Sequence, residues 1–327
     1  MLLTKYFDGG WLSRSDGLLS ALFSDYIFQK NSAKISAAFQ TKKLLPAIDV
    51  EQKISIPAYD GSNPGVLAMV QALKPLQSDL LAAFLHGSLA TGEEISYSDF
   101  DGVLIIRDEV FHDRRRLTKL AKDVYATRKI MHDIDPLQHH GWFVLTERDL
   151  QSYPLAYLPI EVLQHAKSLL PFSEFEFPVR LMQNPDYYTP VKSLCRRIRR
   201  MTQTSHRPQT LYQLKSLLSE FMLLPALYIQ ARDRRGIFKK FSFLIAAADF
   251  SVSAWSIMDE VSQMRAEWPD LTTRKDAAKV KNIGYIWIQY RKHSGPAIPE
   301  AFKERLNNDF YKRMAELANQ VEVNLFR

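Results

Sequence analysis

Residues 84–106 read FLHGSLATGEEISYSDFDGVLII, and this stretch decides the fold of the first half of the chain. The apolar run Leu81 to His86 stops at Gly87-Ser88, as a buried strand ending in a sharp turn would. A second apolar run, Phe100 to Ile106, reads as the next strand. Ten residues lie between Ser88 and Asp99, enough for a short connection back to an adjacent strand. Asp99 and Asp101 are two apart on this expected strand, and alternate residues of a strand share a face. Two carboxylates held side by side repel, and a divalent cation removes the conflict. Hard oxygen ligands suit Mg2+ or Mn2+. Gly87 lets a phosphate approach the backbone closely, and the Ser88 hydroxyl and the amides that follow it can bond to phosphate oxygens. Gly92 is a second flexible point.

Working outward, Pro57 to Pro64 (PAYDGSNP) is rich in breakers, and Ser62 or Asn63 caps a helix that carries Pro64 in its first turn. His112 to Met131 reads as a charged helix and His140 to Thr146 as a third strand. Upstream, residues 1–45 read as a small helical start, with Leu18, Leu19, Leu22, Phe23, Tyr26 and Ile27 at helical spacing. Beyond about residue 150 helical periods dominate, over 154–170, 187–204, 208–232, 238–266, 273–292 and 298–325.

These residues resemble the polymerase-beta-like nucleotidyltransferase superfamily. Its pattern is an apolar strand, Gly-Ser, a spacer of about this length, then Asp-x-Asp on the next strand. Leu85-His86-Gly87-Ser88, Tyr97-Ser98-Asp99-Phe100-Asp101 and Val103-Leu104-Ile105 fit it. The match covers about 63–146, and the later half matches only in architecture. The implied fold class is α+β, a small mixed-sheet nucleotidyltransferase domain followed by an α-helical bundle. Residues 1–60 form an N-terminal helical extension and linker, 61–150 the catalytic domain and 151–327 the helical domain. The resemblance implies that Gly87 and Ser88 hold the phosphates of an NTP such as ATP, and that Asp99 and Asp101 bind Mg2+ or Mn2+. An acceptor hydroxyl then attacks the α-phosphorus and pyrophosphate leaves, with the acceptor lying between the two domains. Lys240 is the helical half's candidate to touch the triphosphate.

Members of the superfamily usually carry a third carboxylate on a neighbouring strand, and His139 to Leu145 has none. On a strand, His140 alternates with Trp142 on one face and His139 with Gly141 on the other. His140 is the favoured replacement, as metal ligand, general base or substrate contact. His139, Asp133, Asp135, Glu147 and Asp149 stay open as alternatives.

The rest of the chain bounds the reading. Its 327 residues suffice for two domains, and 43 Lys+Arg against 36 Asp+Glu give a net charge of +7, compatible with a polyanionic ligand. Arg196-Arg197 and Arg199-Arg200 form a cationic helix segment that could hold a triphosphate or RNA, or simply be solvated. Arg232 to Arg235 reads as a charged turn. Trp255, Trp268, Tyr285, Trp287 and Tyr290 could stack on bases, though their spacing suits a helical core. Cys195 is the single cysteine, so no intrachain disulfide forms, and it reads as a small core residue. With no signal peptide and no run of about 18 apolar residues, the expectation is a cytoplasmic protein with no membrane partner. Its acceptor would be a small molecule or a protein, with RNA possible but not favoured.

Overall fold

The computed structural model describes residues 2–8, 24–271 and 296–326. It is a mixed α+β protein of two compact units. Among the described residues, the first holds 2–8, 24–154, 163–183 and 270–271, and the second holds 155–162, 184–269 and 296–326.

In the first unit a four-stranded mixed sheet runs in the order β4-β3-β2-β5. Its strands are β2 (Leu80–His86), β3 (Asp101–Ile106), β4 (Phe143–Thr146) and β5 (Lys167–Leu170). β2 pairs antiparallel with β3 and β5, and β3 pairs parallel with β4. Because β2 and β3 are central, both faces are covered, and both read as continuous apolar runs. A second, two-stranded antiparallel sheet joins β1 (Ala47–Ile56) to β6 (Phe175–Met182). It covers one face of β2, where Phe84 stacks on Phe177 at 5.6 Å.

The other face carries helices. α3 (Pro64–Leu73) starts at Asn63, whose side chain accepts from the Gly65 and Val66 amides, with Pro64 in its first turn. The charged helix expected over 112–131 is two helices, α5 (Arg114–Ala126) and α6 (Arg128–Ile134). They part at Thr127, whose hydroxyl donates to Val124 O (2.6 Å) and accepts from Trp142 Nε1 (2.9 Å). α1 (Leu2–Phe7) and α2 (Ser24–Thr41) lie in the same core, with Tyr6, Phe7, Phe28, Ile35 and Phe39 all buried in it. Each such side chain contributes about 1.5–3 kcal/mol by leaving water. Of the residues expected to nucleate this helical start, Leu18, Leu19, Leu22 and Phe23 lie outside the described residues.

Three expectations are corrected. The described part of residues 1–60 is more than a helical extension and linker, because α1 and α2 share the sheet's core and the expected linker contains β1. Residues 154–170 are not one helix: a short α7 (Ile160–Leu163) is followed by β5. The division at 150 also falls too early, since β5 and β6 return to the first unit. β6 alternates Phe177 and Val179, both buried, with exposed Glu176, Pro178 and Arg180, the period of a strand with one wet face.

The second unit is helical, with α8 (Tyr188–Met201), α9 (Leu211–Phe221), α10 (Leu224–Asp233), α11 (Lys239–Ala247), α12 (Val252–Ala266), α13 (Glu300–Arg305) and α14 (Asn308–Phe326). α8 packs on α9, α10 and α14, and α12 packs on α14. Arg234 ends α10 in the left-handed conformation, in the charged turn expected there. Trp268 is buried against Phe302, and Trp255 stacks on Phe250. The helix expected over 273–292, with Tyr285, Trp287 and Tyr290, lies outside the described residues. Cys195 is buried, and burial pushes its thiol up to about 12, which removes it as a nucleophile. No helix among the described residues is long and apolar enough to cross a membrane.

Candidate functional site

The site forms where β2 ends and β3 begins. In the antiparallel register His86 faces Asp101. The chain then turns through Gly87 at φ 72 and ψ −160, a region essentially reserved for glycine, and enters the single turn α4 (Ser88–Thr91). A Cβ built on Gly87 would stand 2.5 Å from Asp101 Oδ2, so the carboxylate lies directly against the turn. The Ala90 and Thr91 amides fold back onto Gly87 O at 3.1 and 3.3 Å, leaving the Ser88 and Leu89 amides outside that ladder. The Ser88 hydroxyl donates to Ser98 Oγ at 2.8 Å, and Ser98 Oγ accepts from the Ile95 amide at 3.0 Å. Ser88 thus ties down the connection that returns to β3. Gly92 closes α4 with φ 68, and a Cβ there would meet nothing within 4 Å.

Asp101 is the first residue of β3, whereas Asp99 precedes the strand. Their convergence is therefore built at the strand's entrance, with Asp99 outside the ladder. Both approach one ring: His140 Nε2 lies 3.0 Å from Asp101 Oδ1 and 3.8 Å from Asp99 Oδ2. His139 Nδ1 lies 3.3 Å from the same Asp99 oxygen. The alternation expected for the two histidines also gives way, because β4 begins at Phe143 and both sit in the loop before it. Freed from strand geometry, the two rings meet edge to face with centroids 4.9 Å apart. Among the described residues, Asp99, His139 and His140 can offer three ligand atoms that all lie within 4.8 Å of one another.

Charge sets the protonation of the cluster. Burial works against a charged His140, but its hydrogen bond to Asp101 and the charges of Asp101 and Asp99 outweigh it, raising its pKa to about 9. Burial likewise disfavours an ionised Asp101, but the His140 hydrogen bond and the charges of His86 and His140 prevail and lower its pKa. Burial lowers the pKa of His86 against the pull of Asp101, and its Nε2 is buried with no hydrogen bond among the described residues.

Gln138 holds the two halves of the site together, and sequence reasoning missed it. It is fully buried; its Oε1 accepts from the Phe100 amide (2.9 Å), and its Nε2 donates to Phe100 O (3.0 Å) and His140 O (2.9 Å). One side chain therefore staples the residue between the aspartates to the histidine loop. Gln138→Ala is expected to destabilise the first unit by about 3 kcal/mol, because it leaves buried backbone groups unpaired at roughly 1–3 kcal/mol each. Chemical denaturation checks this, and a change below about 1 kcal/mol would show that water replaces the staple. The only sequence cue was a polar residue beside the histidine pair in the run Asp135-Pro136-Leu137-Gln138.

Of the other candidates for the third ligand, Asp135, Asp149 and Glu147 serve structural ends. Asp135 is buried and accepts from the Leu137 amide. Asp149 forms a capping box with Thr146 and pairs with Lys42. Glu147 accepts from the Asp108 amide at 3.4 Å, and Asp133 is exposed. In the second unit Arg197 pairs with Glu220 and Arg199 with Glu322, while Arg196 and Arg200 are exposed. This favours a solvated helix face over an anion site. Lys240 is exposed on α11, and its assignment rests on the resemblance alone. No protein-family model, no curated protein and no solved structure matches the chain.

Proposed function

We propose that the chain is a metal-dependent nucleotidyltransferase that moves an NMP from an NTP to a hydroxyl of an acceptor, a small molecule or a protein. The observation that carries the reading is the approach of Asp101 to the backbone at Gly87, with Asp99 sharing its histidine partner. A glycine turn and a pair of carboxylates thereby occupy one corner of the first unit. The donor set fits a divalent ion, because two carboxylates and two imidazoles converge. Bound there, the ion would neutralise charge on the phosphates and orient the nucleotide. Gly87 admits a phosphate oxygen to the main chain, Ser88 fixes the loop behind it, and His140 holds Asp101 in place. The acceptor oxygen forms a bond to the α-phosphorus, the bond to pyrophosphate breaks, and the hydroxyl proton is released.

The test is to incubate the purified chain with each α-labelled NTP, Mg2+ or Mn2+, and fractions of cellular metabolites and proteins. Label entering one fraction, with pyrophosphate released in equal amount, is the expected result. Neither transfer nor nucleotide binding would overturn the reading. Binding without transfer would favour a second reading, a nucleotide-binding regulator. One observation speaks for it: β4 carries no carboxylate, where the superfamily usually has a third one on the neighbouring strand.

A further inference from the structure

The donors are not those of a pure oxygen site. Asp99 Oδ2 is 3.3 Å from His139 Nδ1 and 3.8 Å from His140 Nε2, and two imidazole nitrogens and one carboxylate oxygen lie within 4.8 Å of one another. An ion drawing such donors to about 2.1 Å holds them roughly 3–3.5 Å apart, so small side-chain rotations close the set. The His140 Nδ1 faces the backbone carbonyl of Gly141 at 3.1 Å, the contact usual for metal-bound histidines, and an ion bound at Nε2 would displace the proton that Nε2 now shares with Asp101. Gln138, bonded to the His140 carbonyl, fixes the loop from behind. Side-chain exposures of 11% for Asp99, 22% for His139 and 26% for His140 leave the cluster sheltered yet open to an ion from solvent.

We propose that Asp99, His139 and His140, joined by Asp101, form a mixed nitrogen and oxygen centre that takes Mn2+ or another first-row transition ion in preference to Mg2+. Imidazole suits transition ions, whereas Mg2+ keeps its waters and takes oxygen donors in near-octahedral geometry. The centre deepens the nucleotidyltransferase reading and rests on it for what the ion does, though not for whether the ion binds.

The experiment uses the full chain, stripped with a chelator, carrying 15N-labelled histidine and no nucleotide. Pulsed electron paramagnetic resonance of the Mn2+-loaded protein is expected to show hyperfine coupling to two imidazole nitrogens. Calorimetric titration is expected to give Mn2+ an affinity at least about tenfold above that of Mg2+. His139→Gln and His140→Gln should each weaken Mn2+ at least about tenfold, with Mg2+ changed far less. Bound Mn2+ without nitrogen coupling, or equal affinity for the two ions, overturns the proposal. The spectrum of the unsubstituted chain decides even if both variants fail to fold. Coupled Mn2+ in a chain that transfers no nucleotide sinks the functional reading and leaves this centre standing. Transfer supported equally by Mg2+, with no nitrogen coupling, does the reverse.

Discussion

Asp101→Asn is expected to cut nucleotidyl transfer by at least about a thousandfold, the rate equivalent of the several kcal/mol that a bound ion contributes to charge stabilisation. Asparagine keeps the shape of the side chain and an oxygen that can face His140 Nε2, where Asp101 Oδ1 now lies at 3.0 Å. It keeps the contact with the Gly87 turn as well. What it loses is the negative charge, and with it most of the attraction for a cation. Folding should therefore change little, with the melting temperature moving by a few degrees at most. Asp99→Asn is the matched variant, because Asp99 Oδ2 faces both histidines. Single-turnover rates with an α-labelled NTP, read beside thermal melts, separate loss of chemistry from loss of fold. If Asp101→Asn keeps its rate within about tenfold, the carboxylate does not hold the ion and the assignment of the site is wrong.

Local chemistry makes the strands around this site legible in the sequence. Leu81 to His86 and Phe100 to Ile106 are apolar runs of strand length, and Gly87 interrupts the first where a turn is required. The structure has β2 over Leu80–His86 and β3 over Asp101–Ile106. Asn63 and Pro64 announced α3 by capping chemistry that needs no tertiary information. Long-range order was less legible. The tyrosines and phenylalanines of α1 and α2 signal helices but not the surface that buries them. β1 escaped notice because most of its residues are exposed, so it lacks an apolar stripe. The histidine pair departs from the expected strand alternation because two neighbouring residues on a strand must point apart, whereas in a loop both rings can turn to one carboxylate. Tertiary demands, here the buried Gln138 bonds to Phe100 and His140, set that loop.

Gly87→Ala should damage both fold and chemistry at this turn, and Gly92→Ala makes the comparison fair. Both glycines have positive φ, 72 and 68. Gly92, at ψ 25, occupies the ordinary left-handed region, and a Cβ there meets nothing within 4 Å. Alanine at 92 should therefore cost only the conformational preference, about 1 kcal/mol, with transfer intact. Gly87, at ψ −160, lies where residues with a Cβ are strained by about 1–3 kcal/mol. Its Cβ would also stand 2.5 Å from Asp101 Oδ2. Either the turn or the carboxylate must move. If the carboxylate yields, it leaves His140, and the geometry that would hold an ion goes with it. If the turn yields, the backbone that would receive a phosphate shifts instead. Both routes predict a loss of about 2–4 kcal/mol in stability. They also predict a fall in transfer of about a hundredfold or more, since displacements near 1 Å have such effects. Denaturant unfolding and single-turnover rates of the two variants, measured side by side, give the answer. A Gly87→Ala chain as stable and active as Gly92→Ala would mean that the close approach of Asp101 to the turn plays no part in the chemistry.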